Sequence, residues 1–365
     1  MKNITCFITS LSSGGAEHQL SVLSNLLVSD GYNVTLSTFS DIEDHYTLSP
    51  SIKRTKIGKN KGRILKFFCL LKYFLFLKTD CIISFGQREN FFMLIPFLFR
   101  KTKIKIIAGE RNLTIGKQSF REKLLFNLLY KRATYIVPNS YSQKEYILNK
   151  NKTLANKLLT ITNFTDTDKY YPMQDERESG ILQIGVLCRY AKQKNYKKFA
   201  EAIKIVKERL NVPFIVNWYG NINSTYDSVN PDYIEFKRLV DVYHLNDVIK
   251  LNDKIDKINK TLNSFDVFCL PSLHEGFSNS LSEAICCGLP VVASDVSDNS
   301  LMIKNGINGY LFNPYDVEDI AEKIIKILNL GSKERKEMSV QSRNLSLTLF
   351  DKDKFLNEYI TIIEK

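Results

Sequence analysis

The sequence has little of what would take it outside the ordinary globular proteins. No uninterrupted apolar run reaches the roughly 20 residues that a membrane-spanning helix needs. Near the N-terminus only Lys2 precedes a short apolar stretch, residues 4–9, which runs into Ser12-Ser13-Gly14-Gly15. That is too short for a signal peptide and reads as a buried strand and turn. No self-similarity at a period of about 20 to 50 residues recurs, which excludes a solenoid. The seven cysteines (Cys6, Cys69, Cys81, Cys188, Cys269, Cys286, Cys287) are odd in number, form no C-x-x-C pair and have no histidine at zinc spacing. A disulfide framework and a zinc site are thus both unsupported. Small buried hydrophobes in a reducing compartment account for them, so a cytoplasmic protein is expected.

What is present is a chain of 365 residues, 44% hydrophobic and 25% charged, enough for two domains of ordinary size. Its charge is uneven. Residues 1–172 carry 26 Lys and Arg against 12 Asp and Glu, a net of +14, whereas residues 173–365 carry 25 against 27. All the excess positive charge lies in the first half, where nucleic acid, an anionic membrane surface or an anionic substrate would each answer it.

The pattern along the chain alternates short apolar runs with amphipathic ones. Strands are expected at 4–9, 33–39, 81–85, 104–108, 135–138 and 158–161, with a helix over 16–30 that carries Leu20, Leu23 and Leu27 on one face and closes at Gly31. A polar segment, 170–180, reads as a linker. A second alternation follows it: strands at 181–186, 214–218, 248–251, 266–270 and 291–294, and helices at 196–209, 233–243, 255–263 and 278–287, with a helical tail from about 316. Strands separated by helices argue two parallel, doubly wound α/β domains, over 1–172 and 173–345, followed by a C-terminal helix at 346–365 that returns to the first domain. Ligand sites are expected where strand C-termini line a shared cleft.

The sharpest chemical signal is His274-Glu275-Gly276-Phe277-Ser278-Asn279-Ser280-Leu281-Ser282-Glu283, which runs into a Gly288-Leu289-Pro290 return. A strand ends, a loop carries Glu275 and Gly276, and a helix starts near Ser278. The backbone N–H groups of Ser278, Asn279 and Ser280 then offer a positive helix end suited to a diphosphate. Glu283, on the second turn, is placed to accept hydrogen bonds from ribose hydroxyls, and Glu275 to face whatever lies beyond the phosphates. Taken alone, two carboxylates eight residues apart are equally well surface glutamates.

This segment resembles the E-x7-E signature of the family 4 retaining glycosyltransferases, whose fold is GT-B: two Rossmann-like domains facing across a cleft. Other family features recur in order. Ser13-Gly14-Gly15-Ala16-Glu17 is similar to the first-strand glycine loop, which implies that Gly14 and Gly15 let backbone approach acceptor or donor. Arg189 with Lys194 is similar to the R-x4-K pair that clamps the donor diphosphate, and cations there are what a departing nucleoside diphosphate needs. Asn163-Phe164 with Asp166 or Asp168 is similar to the N-x-x-D segment ahead of the linker, and Asn308-Gly309-Tyr310-Leu311 to a family turn.

The resemblance implies catalytic roles for Glu275, Arg189 and Lys194, and donor contacts from Glu283, Gly276, Phe277, Ser278, Asn279, Ser280 and Gly15. It implies no metal and no cofactor beyond a nucleotide sugar, UDP-linked in the first instance. The N-domain histidine of many members is missing. After the strand at 104–108 stand Gly109-Glu110-Arg111-Asn112, so Glu110 or Arg111 either contacts donor sugar or acceptor, or forms a loop ion pair. Tyr219 either lines the base pocket or packs.

Two aromatic-rich stretches, 67–77 and 91–99, are flanked by Arg63, Lys66, Lys72, Lys78, Arg100, Lys101, Lys103 and Lys105. They read as helices against the sheet whose basic rim docks on anionic lipid. The expected activity is transfer of a hexose or N-acetylhexosamine to a lipid-linked or oligosaccharide acceptor in bacterial surface polysaccharide synthesis, on the inner face of the cytoplasmic membrane. A sugar-nucleotide 2-epimerase of the same fold and a non-catalytic partner are the alternatives. A nucleic-acid binder would lack any recognisable reading module.

Overall fold

The computed structural model describes the chain except for residues 13, 99, 112–117, 174–179 and 224–227. The chain divides into two compact units, Met1–Phe164 with Lys352–Lys365, and Thr165–Asp351. The expected boundary at 172 lies eight residues beyond this division, inside the second unit.

The first unit has six parallel strands: β1 (Asn3–Ile8), β2 (Asn33–Thr38), β3 (Lys53–Lys56), β4 (Cys81–Phe85), β5 (Lys105–Glu110) and β6 (Tyr135–Pro138), in the order β3-β2-β1-β4-β5-β6. Strands β1 and β4 are almost wholly buried, which explains their continuous apolar runs. Helices α1 (Gly15–Ser29), α2 (Arg63–Phe76), α3 (Gln87–Leu94), α4 (Phe120–Asn127) and α5 (Tyr141–Lys150) complete the alternation. One face of the sheet is covered by Leu20, Leu23 and Leu27 of α1, the other by Leu70 and Phe74 of α2, Met93 of α3 and Leu125 and Phe126 of α4.

The second unit repeats the scheme with β7 (Leu182–Leu187), β8 (Phe214–Tyr219), β9 (Ile249–Asn252), β10 (Val267–Leu270), β11 (Val291–Ser294) and β12 (Gly309–Phe312), in the order β12-β11-β10-β7-β8-β9. Its helices are α6 (Tyr196–Arg209), α7 (Pro231–Val242), α8 (Ile258–Leu262), α9 (Asn279–Cys286), α10 (Asn299–Met302), α11 (Val317–Leu328) and α12 (Ser332–Leu349). The last helix, α13 (Lys352–Glu364), belongs to the first unit. It buries Phe355, Tyr359, Ile362 and Ile363 beside α1, and Lys2 and Lys105 both donate to the Ile363 carbonyl near its end.

Two expectations need correction. Residues 158–161 are not a strand: Leu159 and Ile161 donate to the Ile136 and Pro138 carbonyls, but one bridge at Leu158 is all the ladder they form. Gly309 to Leu311, expected as a turn, opens β12, where an added Cβ on Gly309 would run into the Val291 carbonyl.

At the C-terminal end of β5 the first unit buries a charged sequence in polar company. Glu110 is fully enclosed; its carboxylate accepts from Asn90 Nδ2 at 3.1 Å, Gln143 Nε2 at 3.2 Å and the Tyr130 hydroxyl. Burial drives its pKa from 4.5 to about 8, with hydrogen bonds from Asn90 and Gln87 opposing the shift. The stability that the protonated group confers is therefore complete below 4.5 and is lost as pH rises through about 8. Glu110→Gln, neutral at every pH, should gain on the wild type by at least about 2 kcal/mol between pH 5 and pH 9. Urea unfolding of both proteins across that range measures it, and a difference that stays flat with pH would mean that Glu110 is ionised in the folded state.

Candidate active site

Both sheets reverse direction once, between β1 and β4 in the first unit and between β7 and β10 in the second, and the crevice above such a reversal is where open α/β sheets bind ligands. In the second unit that crevice receives the two strongest sequence signals. The segment after β7 carries Arg189 and Lys194, and the segment after β10 carries Glu275. Lys194 Nζ and the Glu275 carboxylate form an ion pair across it, each residue more than nine-tenths buried. Ser272 Oγ, fully buried, donates to the same carboxylate oxygen at 2.6 Å.

The backbone around this pair is held just as closely. Asn195 has left-handed backbone (φ 58°) at the start of α6 and donates to the Pro314 carbonyl at 2.8 Å. Gln193 donates to the His274 carbonyl at 2.8 Å and accepts from the Leu273 N–H at 2.8 Å. Ser297, also left-handed (φ 51°), accepts from the Glu275 N–H at 3.2 Å and donates to the Glu275 carbonyl. Such a backbone conformation in a serine is costly and marks a residue held by its surroundings. Arg189 is exposed, and among the described residues no hydrogen bond or ion pair engages its guanidinium. The imidazole of His274 is pushed down in pKa, by burial above all, so it stays neutral beside the pair.

The start of α9 differs from expectation. Ser278 (φ −83°, ψ 82°) is the centre of an inverse γ-turn, in which the Asn279 N–H donates to the Phe277 carbonyl at 3.1 Å. One of the three amides expected to face a phosphate is thus already bonded. The Ser278 hydroxyl is occupied as well, donating to Asn299 Oδ1 at 2.7 Å, and the Phe277 ring meets that of Phe350. Gly276, Ser278, Asn279 and Ser280 accordingly form a tight turn into α9 beside Glu275.

Glu283 is half-buried on α9, and the Tyr170 hydroxyl bonds to it. Burial raises its pKa from 4.5 to about 7, with the bond from Tyr170 and the Lys169 charge opposing the rise. The Tyr170 segment is fixed in turn by Arg343 of α12, which donates to the carbonyls of Tyr170, Cys286 and Thr167 at 3.0, 2.9 and 3.1 Å. Asp166 caps this segment through the N–H groups of Asp168 and Lys169. Tyr219 is half-buried at the end of β8 with its ring against Phe265.

In the first unit Gly14 and Gly15 open α1 after β1, while Ser13 lies outside the described residues. The Glu17 carboxylate folds back over Gly14, into space that a Cβ there would fill. Glu89 of α3 lies over Gly86 and accepts from Thr9 Oγ1, bridging the reversal between β1 and β4. Glu110 and Arg111 are corrected from the loop ion pair. Arg111 donates to the Tyr359 hydroxyl at 2.6 Å and lies 3.7 Å above the Phe85 ring, which rests on Gly109. Both side chains face the interior; Asn112 lies outside the described residues. Sequence reasoning missed Ser272, Ser297, Gln193 and Tyr170, all of types too common to signal a role before the turns that aim them are known.

Against this geometry, the model of the Glycosyl transferases group 1 family matches residues 174–345, the second unit almost end to end. Among characterised proteins, the UDP-Gal:alpha-D-GlcNAc-diphosphoundecaprenol alpha-1,3-galactosyltransferase of Escherichia coli is 27% identical over 225 residues, covering 57% of this chain and 55% of the relative. The N,N'-diacetylbacillosaminyl-diphospho-undecaprenol alpha-1,3-N-acetylgalactosaminyltransferase of Campylobacter jejuni is 25% identical over 299 residues, covering 75% and 74%. This chain thus spans about half the length of the first of these relatives. Among solved structures, HepE of Anabaena in complex with UDP and glucose superposes with a TM-score of 0.82 at 14% identity, covering all of both chains. The two parallel sheets, their reversal points and the superposition over the whole chain give this protein the GT-B fold, and its second unit matches the Glycosyl transferases group 1 family.

Proposed function

We propose that this protein transfers a hexose or N-acetylhexosamine, with retention of anomeric configuration, from a nucleoside diphosphate sugar to a lipid-linked glycan in bacterial surface polysaccharide synthesis. UDP is the first choice of donor nucleotide. The observation that carries the reading is the Lys194–Glu275 pair with exposed Arg189 at the β7/β10 reversal. Transfer breaks the anomeric C–O bond to phosphate and leaves a nucleoside diphosphate on which negative charge grows. The cations of Arg189 and Lys194 meet that charge. Glu275, held by Ser272, orients the donor sugar, and Glu283 accepts from ribose hydroxyls. The two relatives above carry a diphospho-undecaprenol acceptor in their names, and HepE was crystallised with UDP, which supports the choice of substrates.

The acceptor's lipid bears on the first unit. The stretch 91–98 packs inward through Met93, Leu94 and Phe97. Helix α2 has an outer face as well: Ile64 and Phe68, one helical turn apart, and Phe76, two turns further on with Lys72 between, stand 78%, 59% and 73% exposed. Exposed Lys61, Lys78, Lys101 and Lys103 belong to the same unit. We assign this apolar stripe with its lysines to an anionic bilayer surface, on which the protein sits peripherally. Among the described residues no helix is long and apolar enough to cross a membrane.

Two measurements test these assignments. In the presence of UDP- and GDP-sugars and a synthetic lipid diphosphate acceptor, product should form with a retained anomeric centre and without added metal. Arg189→Ala and Lys194→Ala should each lower turnover about 100-fold at saturating donor. Near-normal turnover in either would remove that residue from the diphosphate site, and product from donor alone would point to epimerisation. Separately, Phe68→Asp combined with Lys101→Glu and Lys103→Glu should release the protein from vesicles of phosphatidylglycerol and phosphatidylethanolamine, while activity on a short soluble acceptor is retained. Lys105 is left unchanged because its ammonium caps α13. Wild-type protein that stays in the supernatant with such vesicles at low salt would overturn the docking assignment.

A further inference from the structure

The two cations of the diphosphate site are not equivalent. Arg189 is exposed and unengaged among the described residues, whereas Lys194 is already paired with Glu275. A buried ammonium cannot serve a carboxylate and a diphosphate at full strength together, because the two anions would be brought within a few ångströms of one another in a poorly screened crevice. From this we infer that Lys194 is an exchange residue: donor binding takes it from Glu275, and the carboxylate so released becomes the group that meets the donor sugar. The inference rests on the donor reading above and deepens it.

The surroundings of Glu275 fit an exchange rather than a fixed ion pair. When Lys194 leaves, the carboxylate keeps its bond from Ser272, and the backbone on both sides of it keeps Ser297. Glu275 therefore stays in place with one oxygen still bonded and the other open to a sugar hydroxyl. Lys194 for its part stands in a short turn, Lys192–Lys194, anchored by Asn195 on Pro314 and by Gln193 on the Glu275 loop, so the ammonium can swing while its backbone stays put. Ser272 is then a positioning residue, needed most in the state in which Lys194 is on the phosphate.

The consequence has an unusual sign: weakening a glutamate in the active site should strengthen nucleotide binding. Calorimetric titration of the intact chain with UDP tests it, with thermal unfolding as the check that each variant is folded. Glu275→Gln should bind UDP about fivefold more tightly than wild type, the scale of one partly buried ion pair that no longer has to be broken. Glu275→Asp keeps the charge but withdraws it by one methylene, so a gain there cannot come from deleting a negative charge. In a Lys194→Gln background, Glu275→Gln should gain at most about twofold, the residual effect of removing a nearby anion. Unchanged or weaker UDP binding in both Glu275 variants would overturn the exchange, as would an equal gain with and without Lys194. Wild-type protein that binds neither UDP nor GDP would overturn the donor reading together with this inference, whereas binding without a gain overturns the inference alone.

Discussion

The second unit is organised around one ion pair laid across the point where its sheet reverses. Lys194 and Glu275 come from segments that follow β7 and β10, strands adjacent in the sheet but separated by 79 residues of chain between Leu187 and Val267. Burying two charges costs several kcal/mol each unless every lone pair and proton is answered. That requirement explains the surrounding detail: Ser272 on the carboxylate, Ser297 on both sides of the Glu275 peptide, Gln193 stitching the two loops, and two non-glycine residues in left-handed backbone. None of these contacts adds to the hydrophobic core. Their common effect is to keep one carboxylate and one ammonium in a crevice that water only partly enters.

The first unit solves a related problem by the opposite route. Glu110 and Arg111 are adjacent in sequence and both buried, yet they do not form an ion pair. The glutamate is enclosed so completely that burial favours its neutral form against the amides and the phenol that donate to it, while the arginine lies on an aromatic ring with a tyrosine hydroxyl at its far end. An arginine cannot be deprotonated, so it takes the π-face and the hydroxyl, and the group that can lose its charge does so. The result is a buried, hydrogen-bonded polar cluster at the C-terminal ends of β4 and β5.

Much of this was legible in the chain. Strands buried on both sides are uninterrupted apolar runs, and ten of the twelve among the described residues are located that way within one or two residues. The exceptions share a cause. Strand β3 reads Lys-Arg-Thr-Lys, an edge strand with no apolar alternation to betray it, and β12 begins at an Asn-Gly pair that looks like a turn. Conversely, residues 158–161 have the composition of a strand but only one bridge to β6. For the site, charged residues were legible by spacing, since Glu275, Glu283, Arg189 and Lys194 stand out against their neighbours. Conformation was not. The γ-turn that occupies the Asn279 amide, the burial of Glu110 and the placement of Ser272 and Ser297 follow from backbone angles and tertiary contacts that residue type does not encode.

The return of α13 to the first unit makes the second unit an insertion in the first, since Thr165–Asp351 interrupts a body that begins at Met1 and is completed by Lys352–Lys365. During synthesis the order of folding is then inverted. The inserted unit, continuous in sequence, is able to close as soon as its own chain has emerged, whereas the earlier-made one waits with the seat of Phe355, Tyr359, Ile362 and Ile363 uncovered until the last helix arrives. For that interval an apolar surface beside Leu20, Leu23 and Phe164 is open to solvent. The nascent protein thus depends on Lys352–Lys365 to finish its first domain, and its exposure to chaperones and to aggregation is set by the length of the insertion.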